Sequence, residues 1–148
     1  MRRFILGLLA FAALGAAIAY AQNWGGGPSQ GTGYPSNAIP LVASGTGTVG
    51  VVTATLPAST TGLTTFICTF VVTSAGATGG SVGTGTVAPL VGGTSFPFVF
   101  IDPSAGQGLV GVVFTPCVPA SALNTAIVVT KPAFGGTGTP NVAIGLTG

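Results

Sequence analysis

The chain has 148 residues, of which 47% are hydrophobic and only 3% are charged. This length suits one domain, but globular proteins usually have about 25% charged residues. Histidine is absent, and Asp102 is the only acidic residue. Because acid–base catalysis and metal binding depend largely on His, Asp and Glu, this composition argues against an enzyme. We predict no catalytic, metal-binding or cofactor-binding residues.

The first 21 residues have the pattern of an export signal. Two arginines follow Met1, an apolar run extends over Phe4–Ala19, and Ala19-Tyr20-Ala21 matches a small-x-small cleavage site. The apolar run is shorter than the ~20 residues that a membrane-spanning helix needs. We predict cleavage after Ala21, with a retained membrane anchor as the alternative. The predicted location is periplasmic, cell-surface or extracellular.

Cleavage would remove both arginines and leave a formally neutral chain with Lys131 and Asp102 as its only charged side chains. Nucleic acids and anionic membranes attract proteins through basic patches. We therefore predict no nucleic-acid partner, and no membrane contact after cleavage.

Residues 22–40 are rich in Gly, Pro, Ser and Asn and show no hydrophobic period, so we predict a flexible leader. Its aromatic residues, Trp24 and Tyr34, are expected to fold back on the domain, with contact to a partner as the alternative.

Residues 41–148 alternate short runs of Val, Thr, Phe and Ile with turn-forming clusters, which is typical of strands and turns. The pattern predicts an all-β fold, a single antiparallel β-sandwich of about seven strands, immunoglobulin-like or jelly-roll-like. The predicted strands are Val49–Leu56, Thr64–Thr73, Val82–Leu90, Phe96–Ile101, Leu109–Thr115, Thr125–Lys131 and Asn141–Leu146.

Two predicted strands show which face points inward. In the strand around Cys68, the even positions Phe66, Cys68, Phe70 and Val72 are expected to face the core. In the next aromatic strand, the even phenylalanines from Phe96 to Phe100 form the inward face. Pro97 cannot donate to a ladder, so this strand is predicted to lie at an edge or to carry a bulge.

The tetrapeptide GTGT occurs three times, at residues 45–48, 83–86 and 136–139, with unequal spacing. We interpret it as a turn and strand-edge composition rather than as a structural repeat. Residues 45–52, GTGTVGVV, also match the glycine-rich motifs of kinases and dinucleotide-binding proteins. A β-branched run follows instead of a helix, and the acidic residues that those proteins need are missing, so we reject both interpretations.

The two charged side chains of the predicted mature chain, Lys131 and Asp102, allow one catalytic hypothesis, in which the lysine acts as the base for a serine nucleophile in a Ser–Lys pair. We favour a simpler interpretation. Asp102, which precedes Pro103, is expected to start a turn, and Lys131 to keep a strand end soluble.

Cys68 and Cys117 are the only cysteines. In an exported protein an even number favours a disulfide, and two cysteines allow one intramolecular pairing. Closing a loop of about 50 residues stabilises a fold by roughly 4 kcal/mol in the chain-entropy model. Reduced buried thiols and pairing between two chains are the alternatives. Pro116 and Pro119 are predicted to end one strand and to hold Cys117 near Cys68.

The segments around the cysteines carry distinct patterns. Residues 65–70, TFICTF, form an aromatic-x-Cys-x-aromatic strand, and residues 114–127, FTPCVPASALNTAI, contain Pro-Cys-x-Pro-Ala-Ser-Ala. Together they resemble a recurring type of small exported bacterial protein, similar to β-sandwich domains of tailed-phage structural proteins. The resemblance covers about residues 44 to 134. It implies an all-β domain with Cys68 paired to Cys117, and it brings no active site. The final strand lacks the aromatic ending of that pattern.

The predicted strands lack the edge lysines and surface charges that normally keep β proteins apart. We therefore predict a non-enzymatic exported structural or surface-assembly protein of the cell envelope or of a virion-like particle, which self-associates through β edges. The alternative is a secreted binding or adhesion module with a cell-surface or glycan partner. Glycan sites usually present Trp or Tyr, and the predicted sandwich contains neither.

Overall fold

A computed structural model describes residues 38–148 of the chain. The predicted signal peptide and residues 22–37 of the predicted leader, with Trp24 and Tyr34, lie outside the described residues. Residues 38–40 have no regular secondary structure. The N–H of Leu41 then donates to the carbonyl of Gly148 at 2.6 Å, which ties the start of the sandwich to its last strand.

Eight β-strands make up most of the described residues, and a short 3-10 helix over Val91–Gly93 joins the fourth to the fifth. Residues 38–148 contain no helix with the length and apolar character needed to cross a membrane. The strands are β1 (Val42–Gly47), β2 (Val52–Leu56), β3 (Phe66–Gly79), β4 (Ser81–Leu90), β5 (Thr94–Asp102), β6 (Gln107–Pro119), β7 (Ile127–Lys131) and β8 (Thr137–Thr147).

The strands form two antiparallel sheets of four. The first sheet has the order β1-β8-β3-β6, and the second has the order β2-β7-β4-β5. Along the sides of the fold, β1 lies against β2 and β5 lies against β6. The inner faces of the two sheets therefore enclose one core, as in other sandwiches. The predicted antiparallel β-sandwich is confirmed.

All seven predicted strands are present, and β1 is an additional one. Its sequence, VASGTG, has one β-branched apolar residue, and its burial alternates only between exposed and half-buried positions. It is a strand because it pairs with β8, from Val42 opposite Thr147 to Gly47 opposite Val142. Pairing with a distant partner, rather than local propensity, determines its structure.

Aromatic rings join the two sheets. The inward face predicted for β5 is confirmed, with Phe98 and Phe100 buried and Phe96 half-buried. The Phe98 ring lies 4.9 Å from that of Phe70 in β3, and the Phe96 ring meets that of Phe114 in β6 edge-on at 5.4 Å. These distances suit favourable aromatic pairs. β5 is an edge strand, as Pro97 predicted.

The second GTGT segment lies wholly inside a strand, which corrects the interpretation from sequence for that copy, whereas the first and the third lie where a strand meets a bend, as expected. Residues 83–86 belong to β4, and the other two copies overlap β1 and β8. In β1 a Cβ atom at Gly45 would collide with the carbonyl oxygen of Thr53 in β2. Glycine therefore lets the edges of the two sheets approach closely at this point. β2 follows this segment, whereas a dinucleotide site needs a helix there.

Candidate functional site

Cys68 in β3 and Cys117 in β6 form a disulfide with their Cα atoms 4.3 Å apart. On either side of it, Ile67 lies opposite Val118 and Thr69 lies opposite Val113. Between those two pairs β3 has only Cys68, whereas β6 has residues 114–117. The disulfide therefore connects neighbouring strands of one sheet at the point where their register shifts.

The structure corrects the expected role of one of the two prolines. Pro116 does not end a strand, because β6 continues past it, whereas Pro119 is the residue at which β6 ends. β6 is an edge strand of the first sheet, and edge strands accommodate residues that cannot donate a ladder hydrogen bond.

The inward face predicted for β3 is wrong at its beginning. Ile67 is fully buried in the core, whereas Phe66 is half-buried and lies outside the core cluster. After Cys68 the alternation follows the prediction, and Phe70 and Val72 are buried. The extra residues opposite Cys68 change the alternation by one position, which a strictly two-residue period cannot anticipate.

Lys131 and Asp102 form a buried ion pair, in which their side chains are 1% and 3% exposed. They are the only charged side chains in residues 38–148. Asp102 is the last residue of β5 and Lys131 the last residue of β7. The chain bends directly after Asp102, so the expectation that this residue starts a turn holds, but its side chain is buried. The expectation that Lys131 keeps a strand end soluble is wrong.

The alternation of the two strands explains why these side chains point inward. In β5 the buried positions are Phe98, Phe100 and Asp102. In β7, Ile127 and Val129 are buried on the same face as Lys131. The pattern of inward phenylalanines, extended by one step, would have placed Asp102 in the interior.

The Lys131 side chain reaches from β7 across β4 to β5. Its Nζ lies 2.9 Å from Oδ2 of Asp102, donates to the Pro132 carbonyl at 3.3 Å and lies 5.4 Å from the centre of the Phe100 ring. The last distance is within the range of a cation–π interaction. Ser81, opposite Asp102 in the β4–β5 ladder, donates its hydroxyl to the same Oδ2 at 3.3 Å.

Only one of the two oxygens of the Asp102 carboxylate has hydrogen-bond partners. Its second oxygen, Oδ1 of Asp102, is buried and has no hydrogen-bond partner. Burial of an ionised group is costly unless hydrogen bonds replace its water on every side. The contact with Lys131 thus offsets part of the desolvation cost and leaves one oxygen uncompensated.

Two glycines of β4 keep the space between β7 and β5 open. Gly85 lies opposite Phe98, and a Cβ there would overlap the phenylalanine ring. A Cβ at Gly83 would lie 2.6 Å from the ring of Pro132. The second GTGT segment thus provides room on the inner face of the sheet next to the ion pair.

The hydrogen bonds do not support the Ser–Lys hypothesis. Nζ of Lys131 contacts Asp102 and Pro132, and the Ser81 hydroxyl bonds to the carboxylate instead. In residues 38–148 no three His, Cys, Asp or Glu side chains lie close enough together to hold a metal ion.

Away from the ion pair, a cleft of about 400 Å³ lies between residues 38–41, the segment 57–66 and Gly148. Ile39, Leu63 and Phe66 contribute apolar surface to it. Two of its hydroxyls are bonded within the chain: Ser59 donates to the Leu63 carbonyl, and Thr65 donates to the Pro57 carbonyl. The ion pair does not line this cleft.

Since both charges are internal, the surface of residues 38–148 presents no charged side chain. Several apolar side chains are exposed on the outer faces of the sheets instead. On the second sheet, Val82 lies opposite Ile101 in the ladder and Val99 lies nearby, and all three are largely exposed. We refer to these three residues as the outer patch. On the first sheet, Leu109 and Val113 of edge strand β6 are similarly exposed.

No family model, curated protein or solved structure matches this chain.

Proposed function

We propose that this protein is a non-enzymatic, exported structural component that assembles through contacts between copies of its β-sandwich. The observation that carries the proposal is the burial of both Lys131 and Asp102. The assembly would belong to a cell envelope or a virion-like particle, and the second context rests on the resemblance described from the sequence.

The first support is the absence of electrostatic repulsion between copies. Soluble β proteins usually stay apart because surface charges and edge lysines oppose sheet-to-sheet contact. In residues 38–148 no charged side chain faces solvent, and the inward-pointing Asp102 is the only charge on the four edge strands β1, β6, β2 and β5. Two such surfaces can meet without burying an unpaired charge.

The second support is the outer patch. Val82, Val99 and Ile101 lie together on two paired strands, and β5 is an edge of its sheet. Exposed apolar groups that form a contiguous patch are typical of interaction surfaces. We assign the contact between copies to this patch and to the adjacent edge of β5.

The third support concerns the compartment. The disulfide fits an extracellular or periplasmic protein, because disulfides persist in oxidising environments. The predicted signal peptide would direct the chain there.

Sedimentation velocity of the exported mature protein over a range of concentrations tests the proposal. We expect reversible association, and Val99→Lys should weaken it about tenfold, which corresponds to roughly 1.4 kcal/mol. Thr61→Lys is the matched control, because it adds the same charge in an exposed turn. A wild-type protein that stays monomeric at high concentration would contradict the proposal, as would equal effects of the two lysines.

The alternative, a glycan-binding module, has less support. Residues 38–148 contain no Trp or Tyr, and their phenylalanines are buried or half-buried. Stacking on a sugar ring needs an exposed aromatic face. Specific binding on a glycan array, together with a monomeric protein in sedimentation, would favour this alternative.

A further inference from the structure

We propose that Lys131 and Asp102 become joined by an amide bond between Nζ of the lysine and Cγ of the aspartate. This intramolecular isopeptide bond would be a covalent modification inside the second sheet. The inference does not depend on the assembly role.

The two reacting groups are held together without competitors. Nζ of Lys131 lies 2.9 Å from Oδ2 of Asp102, and both side chains are almost completely buried. Each is the only side chain of its kind in residues 38–148, so the amine has no other side-chain carboxylate to meet. A buried contact of this kind raises the effective concentration of the reactants far above that in solution.

The surroundings favour the product over the ion pair. Ionised ammonium and carboxylate groups are costly to bury, and Oδ1 of Asp102 has no hydrogen bond to offset that cost. An amide is neutral, and it requires only one donor and one acceptor partner. Condensation removes both charges from the interior, and the released water returns to solvent.

The condensation balances without an oxidant or another co-reactant. One proton passes from Nζ of Lys131 to Oδ2 of Asp102, which leaves a neutral amine and a carboxylic acid. The nitrogen lone pair then attacks Cγ, and the C–O bond to Oδ2 breaks. A second nitrogen proton leaves with that oxygen as water, so the ammonium and the carboxylate yield one amide and one water.

Ser81 and Phe100 are positioning residues in this reaction. The Ser81 hydroxyl is 3.3 Å from Oδ2 of Asp102, the oxygen that leaves, and it can hold a proton at that atom. The ring of Phe100 lies beside Nζ of Lys131 and confines the amine to the side of the carboxyl group. Neither residue becomes part of the bond.

Intact-mass spectrometry of the exported wild-type protein, reduced and denatured, tests the proposal. The cross-linked chain should be lighter than its sequence by one water, about 18 Da. Lys131→Arg is the matched control, because it keeps the positive charge and should have the full mass. Fragmentation of a chymotryptic digest should find residues 102 and 131 in one branched peptide.

Two other losses of mass can be separated from this one. Cyclisation of Asp102 to a succinimide also releases water, but it requires a backbone N–H on the next residue, and Pro103 has none. An amino-terminal Gln22, produced by cleavage after Ala21, can cyclise with loss of ammonia, about 17 Da. That loss would persist in the Lys131→Arg variant, whereas the loss of water would disappear.

A wild-type protein with the full sequence mass would overturn the proposal, and so would a loss of water that persists in Lys131→Arg. For Ser81, a time course of the linked fraction after synthesis is informative. We expect Ser81→Ala to slow the linking severalfold, with Ser81→Thr restoring it, while circular dichroism of the folded state stays unchanged. Equal linking rates in the wild-type protein and the two Ser81 variants would show that Ser81 takes no part in the reaction.

Discussion

The two sheets are held by links of different chemistry. In the first sheet, a disulfide joins the neighbouring strands β3 and β6 where their register shifts. In the second sheet, Lys131 reaches across β4 to Asp102 in β5. A disulfide is neutral and can be buried without an electrostatic cost, whereas an ion pair must compensate for two desolvated charges. The second link is therefore more sensitive to the loss of one partner.

The largest effect should come from removal of one charge of the ion pair. We expect Asp102→Ala to lower the free energy of unfolding by about 5 kcal/mol, near the upper end for a broken buried pair. The physical reason is that Lys131, only 1% exposed, would have no counterion. Urea unfolding of the variant and of wild-type protein in which Lys131 and Asp102 are not linked measures the difference.

The matched control replaces both charges with apolar side chains of similar volume, Lys131→Met with Asp102→Leu. Because neither charge remains in the interior, the double variant should recover most of the lost free energy. If the double variant is as unstable as Asp102→Ala, the loss of stability comes from packing rather than from an unpaired charge. The ion pair would then not be more sensitive than the disulfide to the loss of one partner.

Loss of the disulfide should have the next largest effect. Cys68 and Cys117 are separated by 49 residues in sequence. The chain-entropy model gives a loss of about 4 kcal/mol for a loop of that size. We expect this loss in the double variant Cys68→Ser with Cys117→Ser, measured by denaturant unfolding. Reductant should lower the stability of the wild-type protein but not that of the variant, and equal sensitivity would show that the bond does not stabilise the fold.

The smallest expected effect comes from glycine-to-alanine substitutions, which compare the space around one glycine in each sheet. A Cβ at Gly85, in the second sheet, would collide with Phe98, so Gly85→Ala should cost about 2 kcal/mol through overpacking. Gly145 of β8, in the first sheet, has no atom within 4 Å of such a Cβ. There the same substitution should be neutral or stabilise by about 0.5 kcal/mol, because alanine loses less backbone entropy than glycine. Thermal unfolding of both variants provides the measurement, and equal destabilisation would contradict a specific role for Gly85.

The fold class could be predicted from sequence because the strands contain many β-branched and aromatic residues and are separated by turn-forming clusters. β1 could not, since VASGTG has little strand propensity and pairs with β8 about a hundred residues later in the chain. The register shift at Cys68 also depends on the neighbouring strand, so the sequence of β3 alone does not show it.

The disulfide could be predicted because only one intramolecular pairing exists. The ion pair was missed, although the alternation of Phe98 and Phe100 continues to Asp102. Charged residues next to prolines are so often found in exposed turns that residue type outweighed the alternation. Contact between Lys131 and Asp102 depends on the order β7-β4-β5, which the sequence pattern does not contain.

Burial of the one lysine also affects how the protein withstands degradation. Proteases that cut after basic residues require Lys or Arg in an accessible segment. Residues 38–148 have no arginine, and Lys131 is buried and precedes a proline, which such enzymes tolerate poorly on the carboxyl side of the bond. Because the only basic side chain of residues 38–148 lies inside the sandwich, trypsin-like enzymes find no site on the folded domain. This would be an advantage outside the cell, where such enzymes are common.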